Sequence, residues 1–293
     1  MSHIVVTGAR GFIGRALCEV AQAHGYRVTG LARGPAPGLD AVTWQLGDPL
    51  PVACHDADAV VHLACATLVE RRSLAASAAL DLSGTRRLIE SVRQVRARGR
   101  RMRFVFLSSQ SARPDAANAY GRSKAAIEML LDQDDEIVVR PGLVYDDAVG
   151  SVFGLFRKLA RLPVVPIPTR ERNIQPIHLR ELADCVVRIV DASRPERLYC
   201  LGDVAPMTFR DAIAAVARRT GGAPPVMLPV PGWAVRAAAH LVDLLLRPIP
   251  PLTERIDGLI ALRPMDTGPS LAALNCALRP FDPASPGGSD RMP

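Results

Sequence analysis

Three side chains in the middle of the chain have the types and spacing of an acid–base site: Ser109, Tyr120 and Lys124. Tyr120 and Lys124 are four residues apart in the stretch AYGRSK, so on a helix they share one face. An ammonium group beside a phenol favours the phenolate and lowers the tyrosine pKa from about 10 towards neutrality. Ser109 lies just after the apolar run FVFL and could donate a hydrogen bond to a substrate oxygen. The alternative is an ordinary helix entry with a solvated lysine.

Lysine is rare in this chain, which makes Lys124 informative. The sequence holds 36 Lys and Arg residues, and only Lys124 and Lys158 are lysines. Arginine could also supply a positive charge, but its rigid planar fork fits a compact site poorly. A lysine at this position is therefore typical of a site that needs a small cation.

A glycine-rich stretch near the N-terminus has the form of a nucleotide-binding loop. In HIVVTGARGFIGRAL, three glycines follow an apolar, strand-like run and lead into a helix-like run. Such glycines allow a tight turn and a close approach of backbone to a pyrophosphate, which the helix N-terminus stabilises. The alternative is an ordinary glycine-rich turn. A dinucleotide would contact this loop at Gly8, Arg10, Gly11, Phe12, Ile13 and Gly14.

The first half of the chain alternates β-branched apolar runs with helix-like stretches, which predicts a parallel α/β sheet. The runs IVV, AVVHLA and FVFL are apolar without alternation, as expected of strands covered on both faces. We expect strands at His3–Thr7, Arg27–Leu31, Ala41–Gln45, Ala59–Leu63, Phe104–Leu107, Ile137–Val139 and Arg197–Leu201. We expect helices at Ile13–Ala23, Leu74–Arg98 and Tyr120–Leu131.

Beyond Pro141 the composition changes. Residues 151–173 predict one helix and then a proline-rich loop, LPVVPIPTR, and from Met207 onward helices dominate. We therefore predict a Rossmann-type, doubly wound parallel sheet with a smaller, mostly helical C-terminal substrate lobe. The dinucleotide-binding domain would comprise residues 1–150 and about 174–202, the substrate lobe residues 151–173 and 203–280, and a disordered tail residues 281–293.

The end of the second predicted strand bears on which dinucleotide would bind. A carboxylate there would bind the ribose 2′-hydroxyl of NAD. The stretch VTGLARG has Ala32 and Arg33 at that point, and an arginine can pair with the 2′-phosphate of NADP. Arg10 in the glycine loop adds a second cation. We therefore expect NADP(H) to be favoured over NAD(H), with a solvated Arg33 as the alternative.

Together these motifs resemble the extended short-chain dehydrogenase/reductase superfamily, in particular its NAD(P)-dependent epimerase/dehydratase family. TGARGFIG is similar to that family's TGxxGFIG loop, and YGRSK behind FVFLSS is similar to its catalytic serine and YxxxK pair. The segments GD at 47–48, AVVHLACAT, DLSGTRRLIE, VVRPGLVYDD and PIHLRELADCV follow in the family's order, so the resemblance covers about residues 3–215. Asp81 departs from the family pattern, which usually has asparagine there, so different polar contacts behind the site are expected.

The resemblance implies roles for individual residues. Ser109, Tyr120 and Lys124 would be catalytic, and Lys124 would also hold the nicotinamide ribose. The positive charge of the nicotinamide would lower the pKa of Tyr120 further. No metal is implied. Besides the glycine loop, the residues implied to contact the cofactor are Arg33, Asp48 at the adenine, Leu63, Ala64, Cys65, Tyr120, Lys124 and Pro141.

The resemblance leaves more than one reaction open. Dehydratases of the family typically carry an acidic pair after the catalytic serine, whereas this chain has Gln110 and Ser111, so dehydration is not expected. The family resemblance favours a sugar-nucleotide epimerase, and the preference for NADP(H) favours a carbonyl reductase. In either case a small-molecule substrate with a hydroxyl or ketone carbon is expected, with Tyr120 as the general acid and base. The arginines of the proline-rich region, Arg161, Arg170 and Arg172, could bind a substrate phosphate or be surface charge.

A non-catalytic protein of the same superfamily is the alternative function. The segments VPGWAVRAAAHLVDLLL and LTERIDGL resemble the C-terminus of the complex I accessory-subunit branch. Members of that kind bind NADP(H) as accessory or redox-sensing proteins. They commonly lack the YxxxK pair that this chain has.

Charge and composition argue against other classes of function. The formal net charge is +7, but aromatic residues make up only 4% of the chain, so nucleic-acid binding is not expected. The six cysteines show no CxxC spacing, which indicates reduced thiols and a cytoplasmic location. There is no signal-peptide pattern and no apolar run of about 20 residues, so no membrane span is expected. The stretch Trp233–Leu246 predicts an amphipathic helix that packs on a domain or a partner, with membrane-surface attachment as the alternative. A homodimer is a further expectation.

Overall fold

The apolar runs of the first half form a seven-stranded parallel sheet. The computed structural model describes residues 2–35, 38–66, 73–146, 152–169, 173–246, 252–260 and 262–281. Its strands, in chain order, are β1 (His3–Thr7), β2 (Arg27–Ala32), β3 (Asp40–Thr43), β4 (Ala59–His62), β5 (Arg103–Leu107), β6 (Glu136–Pro141), β7 (Leu143–Tyr145), β8 (Val164–Pro168), β9 (Asn173–Ile174), β10 (Pro176–His178), β11 (Leu198–Leu201), β12 (Met207–Thr208) and β13 (Val226–Val230). The large sheet has the order β11–β6–β5–β4–β1–β2–β3. The strand order reverses between β1 and β4, which confirms the predicted Rossmann-type fold.

Helices cover both faces of this sheet, as the continuous apolar runs predict. They are α1 (Phe12–Ala23), α2 (Leu74–Ala97), α3 (Ala119–Glu128), α4 (Val152–Leu159), α5 (Leu179–Asp191), α6 (Phe209–Arg219), α7 (Gly232–Leu246), α8 (Leu252–Ile260) and α9 (Gly268–Ala273). Successive residues of β1 point to opposite faces. Ile4 and Val6 pack in one cluster with side chains of α1 and α5, whereas Val5 packs in another with side chains of α2.

The proline-rich stretch after α4 corrects the sequence prediction. We expected LPVVPIPTR to be a loop, but Val164–Pro168 forms β8, which pairs in parallel with β13. Prolines are tolerated there because a strand with a single partner needs its backbone N–H groups on one side only. The alternation of exposed and buried residues in β8 shows that it covers the smaller core on one face.

The C-terminal part of the chain has an apolar cluster of its own. Phe156, Val165, Ile174 and Val216, from α4, β8, β9 and α6, are buried together there. The division into two domains at the stated boundaries remains a prediction. Arg170, Arg172 and the tail residues 282–293 lie outside the described residues. Within the part of the chain that the structure describes, no helix is both long and apolar enough to cross a bilayer.

Candidate functional site

The residues singled out in the sequence lie at the carboxyl ends of five neighbouring strands. In spatial order these strands are β2, β1, β4, β5 and β6. Arg33 follows β2, the glycine loop follows β1, and Leu63 follows β4. Ser109 follows β5, and Pro141 ends β6. Because adjacent strands are about 4.8 Å apart, this edge presents a row about 19 Å long, a length suited to a dinucleotide.

The glycine loop approaches the turn after β4 closely. Gly8 has a positive φ of +68°, and a Cβ placed on it would lie 3.0 Å from the backbone nitrogen of Ala64. A Cβ on Gly14 would lie 2.2 Å from the carbonyl oxygen of Gly8, so only glycine fits there. Helix α1 begins after Gly11 without a side-chain cap. Its first-turn N–H groups therefore form the kind of end that holds a phosphate.

A buried hydrogen-bond chain holds the turn after β4 in place. The Thr7 hydroxyl accepts from the backbone N–H groups of Leu63 (3.0 Å) and Ala64 (3.1 Å). Its own proton is therefore donated to Nδ1 of His62, 2.7 Å away. The Nε2–H of His62 then donates to the Thr85 hydroxyl on α2 at 2.9 Å. Burial, with the nearby Lys124 charge, lowers the pKa of His62 to about 3, so the ring is neutral.

Ser109 and Tyr120 come together although they belong to different elements. Asn118 caps α3 by accepting from the N–H of Gly121 at 3.1 Å, and this places Tyr120 in the first turn. The Tyr120 phenol lies within hydrogen-bonding reach of the Ser109 side chain. Ser109 Oγ is also 3.0 Å from Ser111 Oγ and accepts from the Ser111 N–H at 3.2 Å. The serine is therefore fixed beside the phenol.

The pKa of Tyr120 moves in the direction opposite to the sequence prediction. Burial raises the pKa of this phenol well above its usual value, and the neighbouring Cys65 and Asp81 raise it further. The hydrogen bond from Ser109 acts in the lowering direction but does not compensate. The expected lowering was wrong because burial, which cannot be judged from the stretch AYGRSK, outweighs the local polar contacts. Tyr120 is therefore protonated at neutral pH.

Lys124 lies one turn along the same face of α3 and is buried. Its Nζ donates to the carbonyl oxygen of Leu107 at 2.8 Å. The same ammonium lies 4.5 Å from the ring centre of Phe106 and 5.7 Å from that of Tyr120. The Lys124 side chain thus links α3 to the end of β5, and its ammonium group faces the Tyr120 ring.

Asp81, the departure from the family pattern, contacts the turn after β4. This buried carboxylate on α2 accepts from the backbone N–H of Ala66 at 2.5 Å and from the Cys65 thiol at 3.3 Å. It links α2 to that turn and raises the pKa of Tyr120. Cys65 is therefore engaged as a hydrogen-bond donor.

The residues implied for the adenosine half of the ligand lie at the other end of the row. Arg10 is exposed. Its Nη1 atom is close to Gly34, 3.2 Å from the position that a Cβ on that glycine would occupy. Its guanidinium is thus next to the backbone that follows Arg33. Asp48 lies in the turn after β3, where its carboxylate accepts from the N–H of Gln45 at 3.0 Å.

The C-terminal segments reach the site in ways that the sequence analysis missed. Glu254 on α8 accepts from the backbone N–H of Ala119 at 2.9 Å, at the first residue of the helix that carries Tyr120. A Cβ on Gly258, one turn further, would lie 2.4 Å from Nδ2 of Asn118. Gln110 donates to the carbonyl oxygen of Arg263 at 2.9 Å. These partners are more than one hundred residues away along the chain, so no local signal could have identified them.

Among the residues that the structure describes, no group of three or more His, Cys, Asp or Glu could hold a metal ion. A protonated phenol beside a serine hydroxyl can donate a proton and a hydrogen bond to one oxygen. The glycine loop and the uncapped end of α1 can hold phosphates.

Comparison with known proteins finds a family model that matches nearly half of the chain. Residues 4–145 match the model of the NAD dependent epimerase/dehydratase family, in agreement with the resemblance of the motifs. The protein named ceramide reductase from Caulobacter vibrioides (strain NA1000 / CB15N) is 29% identical over 254 residues, 82% of this chain and 77% of the relative. Epimerase family protein SDR39U1 from Bos taurus is 26% identical over 257 residues, 80% of this chain and 85% of the relative.

A solved structure agrees with the fold over nearly the whole chain. The crystal structure of human epimerase family protein SDR39U1 (isoform2) with NADPH superposes with a TM-score of 0.71. It covers 96% of both chains at 18% sequence identity. The likeness supports the same sheet and helix arrangement.

Proposed function

We propose that this chain, whose residues 4–145 match the NAD dependent epimerase/dehydratase family, is an NADP(H)-dependent carbonyl reductase. The observation that carries the proposal is the Tyr120 phenol, which lies beside Ser109 and one helical turn from the buried Lys124, at the edge where the glycine loop lies. A protonated phenol is the form that a reductase needs, since the product alcohol takes up one proton. The relative named ceramide reductase supports the reaction class.

The residues of the site have distinct tasks in this reaction. When bound, the cofactor supplies the hydride that the carbonyl carbon accepts. Tyr120 donates its proton to the carbonyl oxygen, so the ketone becomes an alcohol and the phenol becomes a phenolate. Ser109 donates a hydrogen bond to the same oxygen and stabilises the negative charge that develops there. Lys124, 5.7 Å from the Tyr120 ring centre, favours the phenolate that remains.

The glycine loop and the start of α1 form a site that fits a dinucleotide. Gly8 and Gly14 leave space that a Cβ would fill, and the uncapped start of α1 would hold the pyrophosphate. Leu63, Ala64, Cys65 and Pro141 lie along the same edge, and Asp48 lies near the end expected for the adenine. These assignments follow the family resemblance.

Arg10 and Arg33 support NADP(H) over NAD(H), because two guanidinium groups near the end of β2 suit a 2′-phosphate. We expect NADPH to bind more tightly than NADH in a fluorescence titration. Replacing both arginines with alanine should weaken NADPH binding about tenfold or more and leave NADH binding nearly unchanged. Arg15→Ala is the matched control, since Arg15 is an exposed arginine further along α1. Equal losses for both cofactors would contradict the assignment.

Turnover tests the reaction itself. A panel of ketones and nucleotide-sugars should be assayed with NADPH and NADH, for the wild type and Tyr120→Phe. We expect ketone reduction by the wild type, and a loss of about 10²- to 10⁴-fold in kcat/KM for Tyr120→Phe with unchanged NADPH affinity. Tyr26→Phe is the control, because the Tyr26 phenol donates to Asp191 on α5, away from this edge.

Two other results of these assays would support a different function for the protein. Interconversion of a nucleotide-sugar without net consumption of cofactor would favour the epimerase that the family description suggests. Tight cofactor binding with no turnover of any substrate would favour the non-catalytic accessory role. Full activity of Tyr120→Phe would remove the catalytic assignment.

A further inference from the structure

Helix α7 exposes a stripe of large apolar side chains. Trp233 is 73% exposed, Leu241 57%, Leu244 71% and Leu245 70%. With the exposed Ala237 they recur at helical spacing, so they form one continuous face along the helix. Isolated exposed apolar residues are normal, but a contiguous face of this kind marks an interaction site.

The strand that leads into α7 extends this apolar surface. In the β8–β13 ribbon, Val164 pairs with Val226 and Pro166 with Leu228. Val164, Val226 and Leu228 are 46%, 66% and 51% exposed, and they lie on the face of the ribbon opposite the buried Val165 and Ile167. Val230 ends β13 just before α7 begins, so the two exposed apolar faces are adjacent along the chain.

Basic side chains outnumber acidic ones along the segments that carry this surface. Residues 152–169 and 212–242 contain no Asp or Glu. Within them, Lys158, Arg161 and Arg236 have exposed side chains, and Arg236 is paired with Asp257 of α8. The first acid on α7, Asp243, is turned to α8, where it accepts from the N–H groups of Leu252 (2.6 Å) and Thr253 (3.0 Å). The surface therefore combines apolar area with positive charge and suits a partner that is apolar and anionic.

Helix α7 is also connected to the candidate site. It packs against α8, and Arg236 forms an ion pair with Asp257 of α8 at 2.9 Å. The same α8 carries Glu254, which accepts from the first N–H of α3. The apolar stripe is thus two helices away from Tyr120.

We propose that the α7 stripe and the β8–β13 ribbon form a docking surface for an anionic lipid bilayer. A helix of 15 residues is about 22 Å long, shorter than the hydrocarbon core, so α7 lies in the plane of the interface with its apolar face inserted. Tryptophan at one end of the stripe suits the headgroup level. A second copy of this chain fits the surface less well, because the exposed Lys158 and Arg161 of two copies would repel each other. The inference does not depend on turnover.

Flotation with lipid vesicles tests the proposal on the full-length chain. Vesicles of phosphatidylcholine with phosphatidylglycerol should carry the wild type to the top of the gradient, and added salt should weaken this binding. The double variant Trp233→Glu/Leu241→Glu should bind about tenfold or more weakly. The control is Val52→Glu/Met129→Glu, since both side chains are 81% exposed elsewhere on the molecule. It makes the same change in charge and should bind within about twofold of the wild type.

Each other outcome overturns the proposal. Absence of wild-type binding would remove the bilayer as the partner. Equal losses of vesicle binding in the two double variants would mean that the change in net charge, and not the apolar stripe, causes the effect. A wild-type dimer in light scattering that Trp233→Glu/Leu241→Glu converts to a monomer would assign the surface to a second copy. Circular dichroism of both variants checks that the fold is kept.

Discussion

Tyr120 and Asp81 show how one residue can change the protonation of another. The family usually has a neutral asparagine where this chain has Asp81, and the carboxylate adds to burial in keeping the Tyr120 phenol protonated. Both influences keep the phenol protonated, but they also make it a weaker acid than an ordinary tyrosine. In the proposed reaction the positive charges of Lys124 and of a bound nicotinamide would act against them.

His62 provides a prediction about acid stability. Its pKa is about 3 in the folded chain and 6.5 in the unfolded chain. Between these values the unfolded state binds a proton that the folded state does not, so the stability contributed by the neutral ring is present above pH 6.5. This stability is lost as the pH falls towards 3, at about 1.4 kcal/mol per pH unit.

We expect His62→Gln to lower the free energy of unfolding at neutral pH, because the buried chain from Thr7 to Thr85 is broken. Below pH 6.5 its stability should fall less steeply than that of the wild type. Urea unfolding at a series of pH values measures both slopes. His240→Gln is the control, since that ring is exposed on α7. Parallel slopes for His62→Gln and the wild type would contradict the neutral, buried ring.

At the scale of elements, α3 is held between two parts of the chain. On one side a Cβ on Gly121 would lie 2.5 Å from the carbonyl oxygen of Ser111, so the helix start is pressed against the turn that contains Ser109. On the other side α8 contacts Asn118 and Ala119. The position of the phenol relative to Ser109 therefore depends on α8.

Gly258→Ala tests this dependence. Alanine in an open helix position would stabilise the chain by up to about 1 kcal/mol. At Gly258 its Cβ would lie 2.4 Å from Nδ2 of Asn118, so either the Asn118 side chain that caps α3 moves or α8 shifts. We expect a lower melting temperature and a fall of about tenfold in kcat with little change in the KM for NADPH, since a small misplacement of a catalytic group is costly.

The matched control for Gly258→Ala is Gly232→Ala, which meets no atom within 4 Å at the start of α7. It should keep full activity and the wild-type melting temperature or a slightly higher one. If both alanine variants behaved alike, contact between α8 and α3 would not be what positions Tyr120.

At the scale of the whole molecule, Gln175 joins segments from three regions of the chain. Its buried side chain donates to the carbonyl oxygens of Asp203 (3.0 Å) and Met265 (2.9 Å). It also accepts from the N–H of Met265 at 2.7 Å. The C-terminal segment is thereby fastened to the link between β9 and β10, the strand that precedes α5.

We expect Gln175→Ala to lower the free energy of unfolding by about 3 kcal/mol, because it leaves several buried backbone groups without partners. Urea denaturation measures this loss. Gln22→Ala, at an exposed position on α1, should change stability by less than about 0.5 kcal/mol. A small effect at Gln175 would mean that the C-terminal segment is held mainly by apolar contacts.

The sequence alone was sufficient for the sheet and for the position of the glycine loop after β1, and it predicts the three residues of the proposed acid–base site. These features depend on local periodicity and on short motifs, and both are formed by residues that are close together in the sequence. β1 has the predicted bounds, and α2 ends at Ala97, one residue before the predicted end. The proline-rich strand β8 was missed because its partner, β13, lies about sixty residues further along the chain.

Only the tertiary structure decided the protonation state of Tyr120 and the part that α8 has in holding it. The spacing of Tyr120 and Lys124 indicated a lowered phenol pKa, but burial of the phenol, together with Cys65 and the Asp81 carboxylate, raised it. Glu254 and Gly258 carry no motif, and their importance comes from contacts with residues about 140 positions away. Residue types and spacing determine which chemistry is available at a site. Desolvation and long-range contacts, which exist only in the folded chain, determine the state in which each group is held.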